Sequence, residues 1–344
     1  MPAGVYQRPT AAGPGLAGVS APQAFIIISI RKPDSNVQFI AFPLSVAMRQ
    51  SVISANGVIS VNQRIDPSLL APPDLSFATL DSGVVLPYLE RGAGEPLLLV
   101  HGSLCDYRYW APQLDGLADD FRCIAPSLSH YWPAADACIQ GEFGWESHLH
   151  ELADFITAMG LESVHLVGHS RGGSIAYHLA RRYPRLVRTL VLADPGGPLR
   201  RLEDDEDVLP PATNALRTRA ADLIERGELE AGLELFVNSV SMPGAWRKSP
   251  HAFREMAIAN ATTLPKQLID PLPAYVRRPA ADIKCRTLLI DGQRSPLMFR
   301  NNVEALEEWI DFAQRITMKG ATHGMNATHA DLFNTHVRNF ITQA

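Results

Sequence analysis

Val164-His165-Leu166-Val167-Gly168-His169-Ser170-Arg171-Gly172-Gly173 is the stretch on which the reading of this chain turns. Val164 to Val167 has the β-branched, apolar content of a short strand. Gly172 to Tyr183, rich in alanine and arginine, reads as a helix. Between them lies Gly168-His169-Ser170-Arg171-Gly172, a G-x-S-x-G pattern at a strand-to-helix junction. That junction is the context the pattern requires, because a tight turn holding a serine in a strained backbone conformation needs small residues around it. Five such residues alone also arise by chance, as an ordinary structural turn. The flanking strand and helix favour the chemical reading.

Outward from this turn, the same alternation repeats. Leu86 to Glu90 is strand-like, Gly92-Ala93-Gly94 makes a turn, and Pro96-Leu-Leu-Leu-Val100 is a continuous apolar run ending in His101-Gly102. Continuous rather than alternating apolar character marks a strand buried on both faces, as in a parallel sheet. Phe121 to Ala125 is a short strand, Ser147 to Met159 has helical spacing, and Leu190 to Ala193 and Thr287 to Ile290 are further strands. Asp331 to Thr342 closes the chain as an amphipathic helix. Strands alternating with helices imply right-handed crossovers and an α/β fold with a doubly wound, mostly parallel sheet. From Pro198 to about Ala280 the sequence is helical and lacks a convincing strand. Its place between two core strands suits an inserted helical cap over the sheet's carboxyl edge, where ligands bind in open α/β sheets. The expected organisation is an irregular N-terminal extension (1–74), a core made of 75–197 and 281–344, and a cap (198–280). The extension is rich in Pro, Gly, Ala and Ser, and Met48 is an alternative start. Deleting residues 1–47 is therefore expected to leave a folded, active protein. Insoluble or inactive product from that truncation would show that the extension packs against the rest.

A serine is a weak nucleophile until a base takes its proton. Of the eleven histidines, His323 in Gly320-Ala-Thr-His-Gly324 is the candidate, since it follows the last expected strand and precedes the last helix. The order Ser170 then His323 is also the expected one for this turn. His169 is expected to point away and support the elbow, and His101 to be a structural hydrogen-bonder. His130, His148, His150 and His329 read as surface or packing residues.

His101-Gly102-Ser103, the Ser170 elbow, Leu192-Ala193-Asp194-Pro195 and Gly320-Ala-Thr-His323 together resemble the cap-bearing α/β-hydrolase superfamily. From about residue 76 onward the chain is similar to its bacterial esterase-like serine hydrolases, which differ among themselves in substrate. The resemblance implies a Ser-His-Asp triad and hydrolysis of a carboxylic ester or lactone, with no cofactor and no metal. In that family the acid usually follows the penultimate strand, at a place occupied here by Ser295 in Asp291-Gly-Gln-Arg-Ser-Pro296. Some members carry it after the strand that follows the nucleophile's helix, where Asp194 stands. Asp194 is therefore the candidate acid and Asp291 its rival; Asp194 also reads as a turn former ahead of Pro195. Backbone N–H groups of Ser103 and Arg171 are the candidate oxyanion hole, with Leu104 the alternative to Ser103. The Arg171 side chain is expected in a salt bridge within the fold. Tyr131, Trp132, Phe143, Trp145, Phe236 and Trp246 are candidate pocket aromatics or ordinary core residues. Hydrolysis of a carbon–carbon bond by the same residues, and a ligand-binding module without turnover, are the rival readings. Dehalogenase or epoxide hydrolase chemistry needs a carboxylate where Ser170 stands.

Composition bounds the remaining classes. A net charge of −5 with scattered basic residues gives no footprint for nucleic acid. Four cysteines (105, 123, 138 and 285) form neither a C-x-x-C pair nor a Cys/His cluster, so reduced thiols in a cytoplasmic protein are expected. The apolar stretch Ala24 to Ile30 falls far short of the ~20 residues of a membrane span and lacks a signal's cleavage site. Glu203-Asp-Asp-Glu-Asp207 reads as a solvated acidic loop.

Overall fold

Side chains alternate in direction along a strand, so a strand that is apolar throughout must be covered on both sides. The computed structural model shows this arrangement; it describes residues 25–31, 37–43, 53–54, 57–58, 74–133, 140–202 and 208–343. Cys138, the acidic run 203–207 and most of the 1–74 extension lie outside the described residues. The chain divides into two units, Met1–Asn62 and Gln63–Ala344. In the first, β1 (Phe25–Arg31) pairs antiparallel with β2 (Val37–Pro43), and β3 (Ile53–Ser54) with β4 (Gly57–Val58). Antiparallel pairings thus occupy part of the N-terminal extension.

The second unit is built on one eight-stranded sheet of β5 (Ser76–Thr79), β6 (Val85–Arg91), β7 (Pro96–Val100), β8 (Arg122–Pro126), β9 (Val164–His169), β10 (Val187–Ala193), β11 (Arg286–Gly292) and β12 (Gln314–Met318). Their spatial order is β12-β11-β10-β9-β7-β8-β6-β5. The six strands from β12 to β8 are parallel, and β6 and β5 add antiparallel pairings at one edge. The order reverses between β7 and β9, and that switch point is where crevices open in such sheets.

Alternation along the strands feeds two cores. Leu98, Val100, Leu166, Leu190 and Leu192 face one layer, packed by α2 (Trp145–Ala158), α3 (Arg171–Arg182) and α10 (Leu297–Trp309). Leu97, Leu99, Val167, Val191, Leu288 and Ile290 face the other, packed by α1 (Ala111–Leu117) and α11 (Ala330–Thr342).

Between β10 and β11 the chain makes α4 (Pro211–Glu225), α5 (Leu229–Val240), α6 (Ala245–Lys248), α7 (His251–Ala259), α8 (Thr263–Ile269) and α9 (Arg277–Ala280). This insertion has its own core of Ala220, Ile224, Leu233, Phe236, Val237, Trp246 and Leu264, which also takes in Leu104. Burying a side chain of this size stabilises by about 1.5–3 kcal/mol, enough for the helices to hold their own packing. Its two ends are tied where Leu199 and Tyr275 bridge in parallel, with the Tyr275 N–H donating to Pro198 O at 3.0 Å. Among the described residues, no helix is long and apolar enough to cross a membrane, and no cluster of three or more His, Cys, Asp or Glu could hold a metal ion.

Candidate active site

Ser170 occupies the junction of β9 and α3 with φ 55° and ψ −123°, a left-handed conformation that L-residues adopt only when their surroundings enforce it. The glycines on either side are what allow it. A Cβ on Gly168 would lie 2.5 Å from Gly172 O, and one on Gly172 would lie 2.3 Å from His101 O. Larger residues would push α3 away from β7 and β9. The Ser170 carbonyl is fixed by the N–H groups of Gly173 and Gly196, each at 2.9 Å.

Asp194 follows β10, wholly buried and with φ 41°. Its Oδ2 lies 3.0 Å from His323 Nδ1. Ionised carboxylate oxygens only accept, so Nδ1 carries the proton and donates, which leaves Nε2 as the imidazole's open acceptor. The Ser295 hydroxyl donates to the same Oδ2 at 2.5 Å. Position 295, which breaks the family's usual pattern, thus holds a donor to the carboxylate at 194. Asp291 is committed elsewhere: Arg315 grips both its oxygens, at 3.2 and 2.9 Å, and the Thr317 hydroxyl donates at 2.7 Å.

Two rings fix the His323 imidazole. Phe299, on α10, stacks on it with centroids 4.0 Å apart and planes at 19°; His169 lies 4.5 Å away at 41°. His169 Nε2 donates to the His323 carbonyl at 2.7 Å. His169 therefore does not point away from this group but braces the loop that carries His323. Phe299 carried no mark in the sequence. Burial, and then the charge of Arg217, hold the His323 imidazole below its ordinary pKa, so it is neutral at pH 7. Burial raises the Asp194 carboxyl, and hydrogen bonds from Ser295 and the Gly292 backbone oppose that rise.

His101 is buried, with its pKa lowered to about 4 by burial. The Leu128 N–H donates to its Nε2 at 3.1 Å, so the proton sits on Nδ1, which donates to Gly102 O at 2.9 Å. In a trans peptide the N–H points opposite the carbonyl. Holding the Gly102 carbonyl therefore also sets the direction of the Ser103 N–H. The Arg171 N–H is the first donor of α3, one of those a helix leaves without an internal acceptor. The Arg171 side chain is buried and reaches Asp270 at 3.3 Å. The Ser103 hydroxyl donates to Gln267 Oε1 on α8 at 2.7 Å, linking this loop to the insertion.

Ser170 stands between two cavities, and Ser103 and Phe236 line both with it. One, of about 230 Å³, is bounded by Arg171, Asn214, Arg217 and Gln267. The other, of about 440 Å³, is bounded by Leu104, Tyr109, Val237, Met242, Phe253 and His323. Of the six aromatics considered from sequence, Phe236 lines these cavities; Tyr131, Trp132, Phe143, Trp145 and Trp246 line neither.

The profile of the Alpha/beta hydrolase family matches residues 97–335. The chain belongs to that family. An uncharacterized protein of Mycobacterium tuberculosis is 30% identical over 128 residues, which are 37% of this chain and 37% of that protein. The 2-hydroxymuconate semialdehyde hydrolase of a Pseudomonas species is 26% identical over 283 residues, covering 79% of this chain and 95% of the relative. Among solved structures, a thermophilic esterase from Thermogutta terrifontis superposes with a TM-score of 0.62 at 22% identity, over 78% of this chain and 98% of that one. That likeness extends to the fold.

Proposed function

We propose that this chain is a serine hydrolase that cleaves a carboxylic ester or lactone through an acyl-enzyme on Ser170. The observation carrying the reading is the 3.0 Å contact of His323 Nδ1 with Asp194 Oδ2, in a cavity that Ser170 and His323 both line. His323 Nε2 takes the Ser170 proton as Oγ attacks the substrate carbonyl, and the N–H groups of Ser103 and Arg171 hold the resulting oxyanion. The carbon–oxygen bond then breaks, and the leaving alkoxide receives the proton from His323. Water, deprotonated by the same imidazole, releases the acid and restores Ser170. Asp194 keeps the imidazole in the accepting tautomer and stabilises its cationic form. The insertion 198–280 acts as a cap that walls both cavities.

Labelling with a fluorophosphonate and mapping the adduct tests the reading. A single adduct on Ser170 is expected; a folded protein that stays unlabelled, or is labelled elsewhere, removes it. A second reading, hydrolysis of a carbon–carbon bond in a diketone-like substrate, is favoured by the likeness to the 2-hydroxymuconate semialdehyde hydrolase. Turnover of carbonyl substrates that contain no ester would select it.

A pH profile follows from the state of His323. The base works only when unprotonated, and its pKa in the folded protein lies below the ordinary value of 6.5. kcat/KM for 4-nitrophenyl butyrate should hold through the neutral range and fall on the acid side as the His323–Asp194 pair takes up a proton, because this parameter reports the free enzyme's ionisable groups. An acid limb centred above pH 7 would contradict a neutral, buried His323.

A further inference from the structure

Resting on the hydrolase reading, we infer that the smaller cavity is an acyl pocket for a carboxylate-bearing acyl group, recognised by Arg217, so that the substrate is a half-ester of a dicarboxylic acid with an apolar alcohol. The two cavities beside Ser170 differ in chemistry. Arg171 and Arg217 both border the smaller one. Arg171 is offset by Asp270 at 3.3 Å. Arg217 makes no ion pair with any described residue, and its Nε is buried without a hydrogen-bond partner. The ring of Phe236 lies 5.8 Å from its guanidinium carbon, near the outer limit of a cation–π interaction. Such a contact replaces only part of the hydration that a guanidinium gives up on being enclosed, and Arg217 is half-buried. A substrate anion would remove that deficit. Asn214, one turn earlier on the same face of α4, borders the cavity with Arg217 and supplies an amide to the same group. Burial and the nearby Arg171 lower the Arg217 pKa to about 10, which keeps it cationic at neutral pH.

The direction of binding follows from the proton. The leaving alkoxide must be protonated by His323, and His323 borders the larger cavity, not the smaller. The alcohol therefore departs through the cavity of Leu104, Val237, Met242 and Phe253, and its surroundings are apolar. The acyl chain remains on Ser170 and points toward Arg217.

Three esters test this: 1-naphthyl hydrogen succinate, with the carboxylate on the acyl side; 1-naphthyl butyrate, with none; and 4-(butyryloxy)benzoate, with it on the leaving group. Wild-type kcat/KM should favour the hydrogen succinate over both others by at least ~10-fold, since a charge-assisted contact is worth about 1.5–3 kcal/mol, or roughly 10- to 150-fold. Arg217→Gln should lower the hydrogen succinate rate by a similar factor and shrink its preference over butyrate to within about threefold, and Arg217→Lys should recover part of that preference. Equal wild-type rates for the hydrogen succinate and butyrate would overturn the proposal whether or not the variants fold. Preference for 4-(butyryloxy)benzoate would overturn the direction. Calorimetric binding of 1-naphthyl hydrogen succinate to Ser170→Ala, compared with Ser170→Ala/Arg217→Gln, separates the two claims. Arg217-dependent binding together with no turnover of any of the three esters by the wild type leaves the anion pocket standing and removes the hydrolase reading; binding that ignores Arg217 removes the pocket.

Discussion

Ser170→Ala is expected to abolish ester turnover, with kcat falling by an amount on the order of 10⁶-fold, the scale seen when the nucleophile of a serine hydrolase is deleted. The expectation rests on the division of labour at the elbow. The backbone there is held by contacts that do not involve the Ser170 hydroxyl: its carbonyl accepts from Gly173 and Gly196, and its N–H donates to Ala193 O at 3.1 Å. Gly168 and Gly172 keep the space in which α3 meets the sheet. Removing one oxygen leaves all of these in place, and alanine meets the same steric cost at φ 55° as serine does. The melting temperature should therefore hold or rise slightly, as is common when a site's chemistry is deleted from a strained position. Measuring turnover and a thermal melt on one preparation decides the matter. Undiminished hydrolysis by a folded Ser170→Ala protein would sink the mechanism, and a large loss of melting temperature would show that the hydroxyl belongs to the scaffold.

What the sequence disclosed and what it hid follow from where each residue sits in the sheet. The central strands were legible because both their faces are covered: Leu97 to Val100 and Leu190 to Ala193 are buried throughout, and only apolar side chains tolerate that. The edges were not. β12, Gln314-Arg-Ile-Thr-Met318, is half exposed along most of its length, and β5 has only four residues. A strand with one wet side and little length leaves almost no pattern. Ser170 and Asp194 could be proposed because each follows a strand that was visible, and His323 because it stands just ahead of the closing helix. The residues packed around them could not. Phe299 meets His323 from α10, and Arg217 reaches the cavity from the insertion, placements set by how helices dock rather than by spacing along the chain. Ser295 was noticed as a carboxylate missing from its usual place. Its contact with Asp194, 101 residues away, is a property of the fold alone.

Asp194→Asn should lower kcat by about 10⁴-fold with little change in KM, a loss of about 5.4 kcal/mol of transition-state stabilisation. An amide is nearly the same shape, so packing survives. Its NH₂ group, however, can donate to Nδ1, which favours the tautomer whose Nε2 carries a proton and cannot accept one from Ser170. The amide also lacks the charge that stabilises the imidazolium formed during attack. Asp291→Asn is the matched control. It weakens the paired bond to Arg315, whose side chain is 23% exposed, and the bond from Thr317; it should cost stability while leaving kcat close to native. Retention of near-native kcat by Asp194→Asn, or a fall of several orders of magnitude in a folded Asp291→Asn, would reverse the two assignments. Ser295→Asp placed on the Asp194→Asn background sharpens the comparison. The Ser295 hydroxyl lies 2.5 Å from the carboxylate oxygen that contacts His323, so a carboxylate grown from position 295 enters the same space and can accept from Nδ1. Recovery of roughly 10- to 100-fold of the lost kcat is expected, the part of the loss that a charge-assisted hydrogen bond of about 1.5–3 kcal/mol returns without native geometry. Recovery would show that positions 194 and 295 converge on one imidazole. A folded double variant with no recovery would mean that only a carboxylate presented from the end of β10 meets Nδ1 at a productive angle.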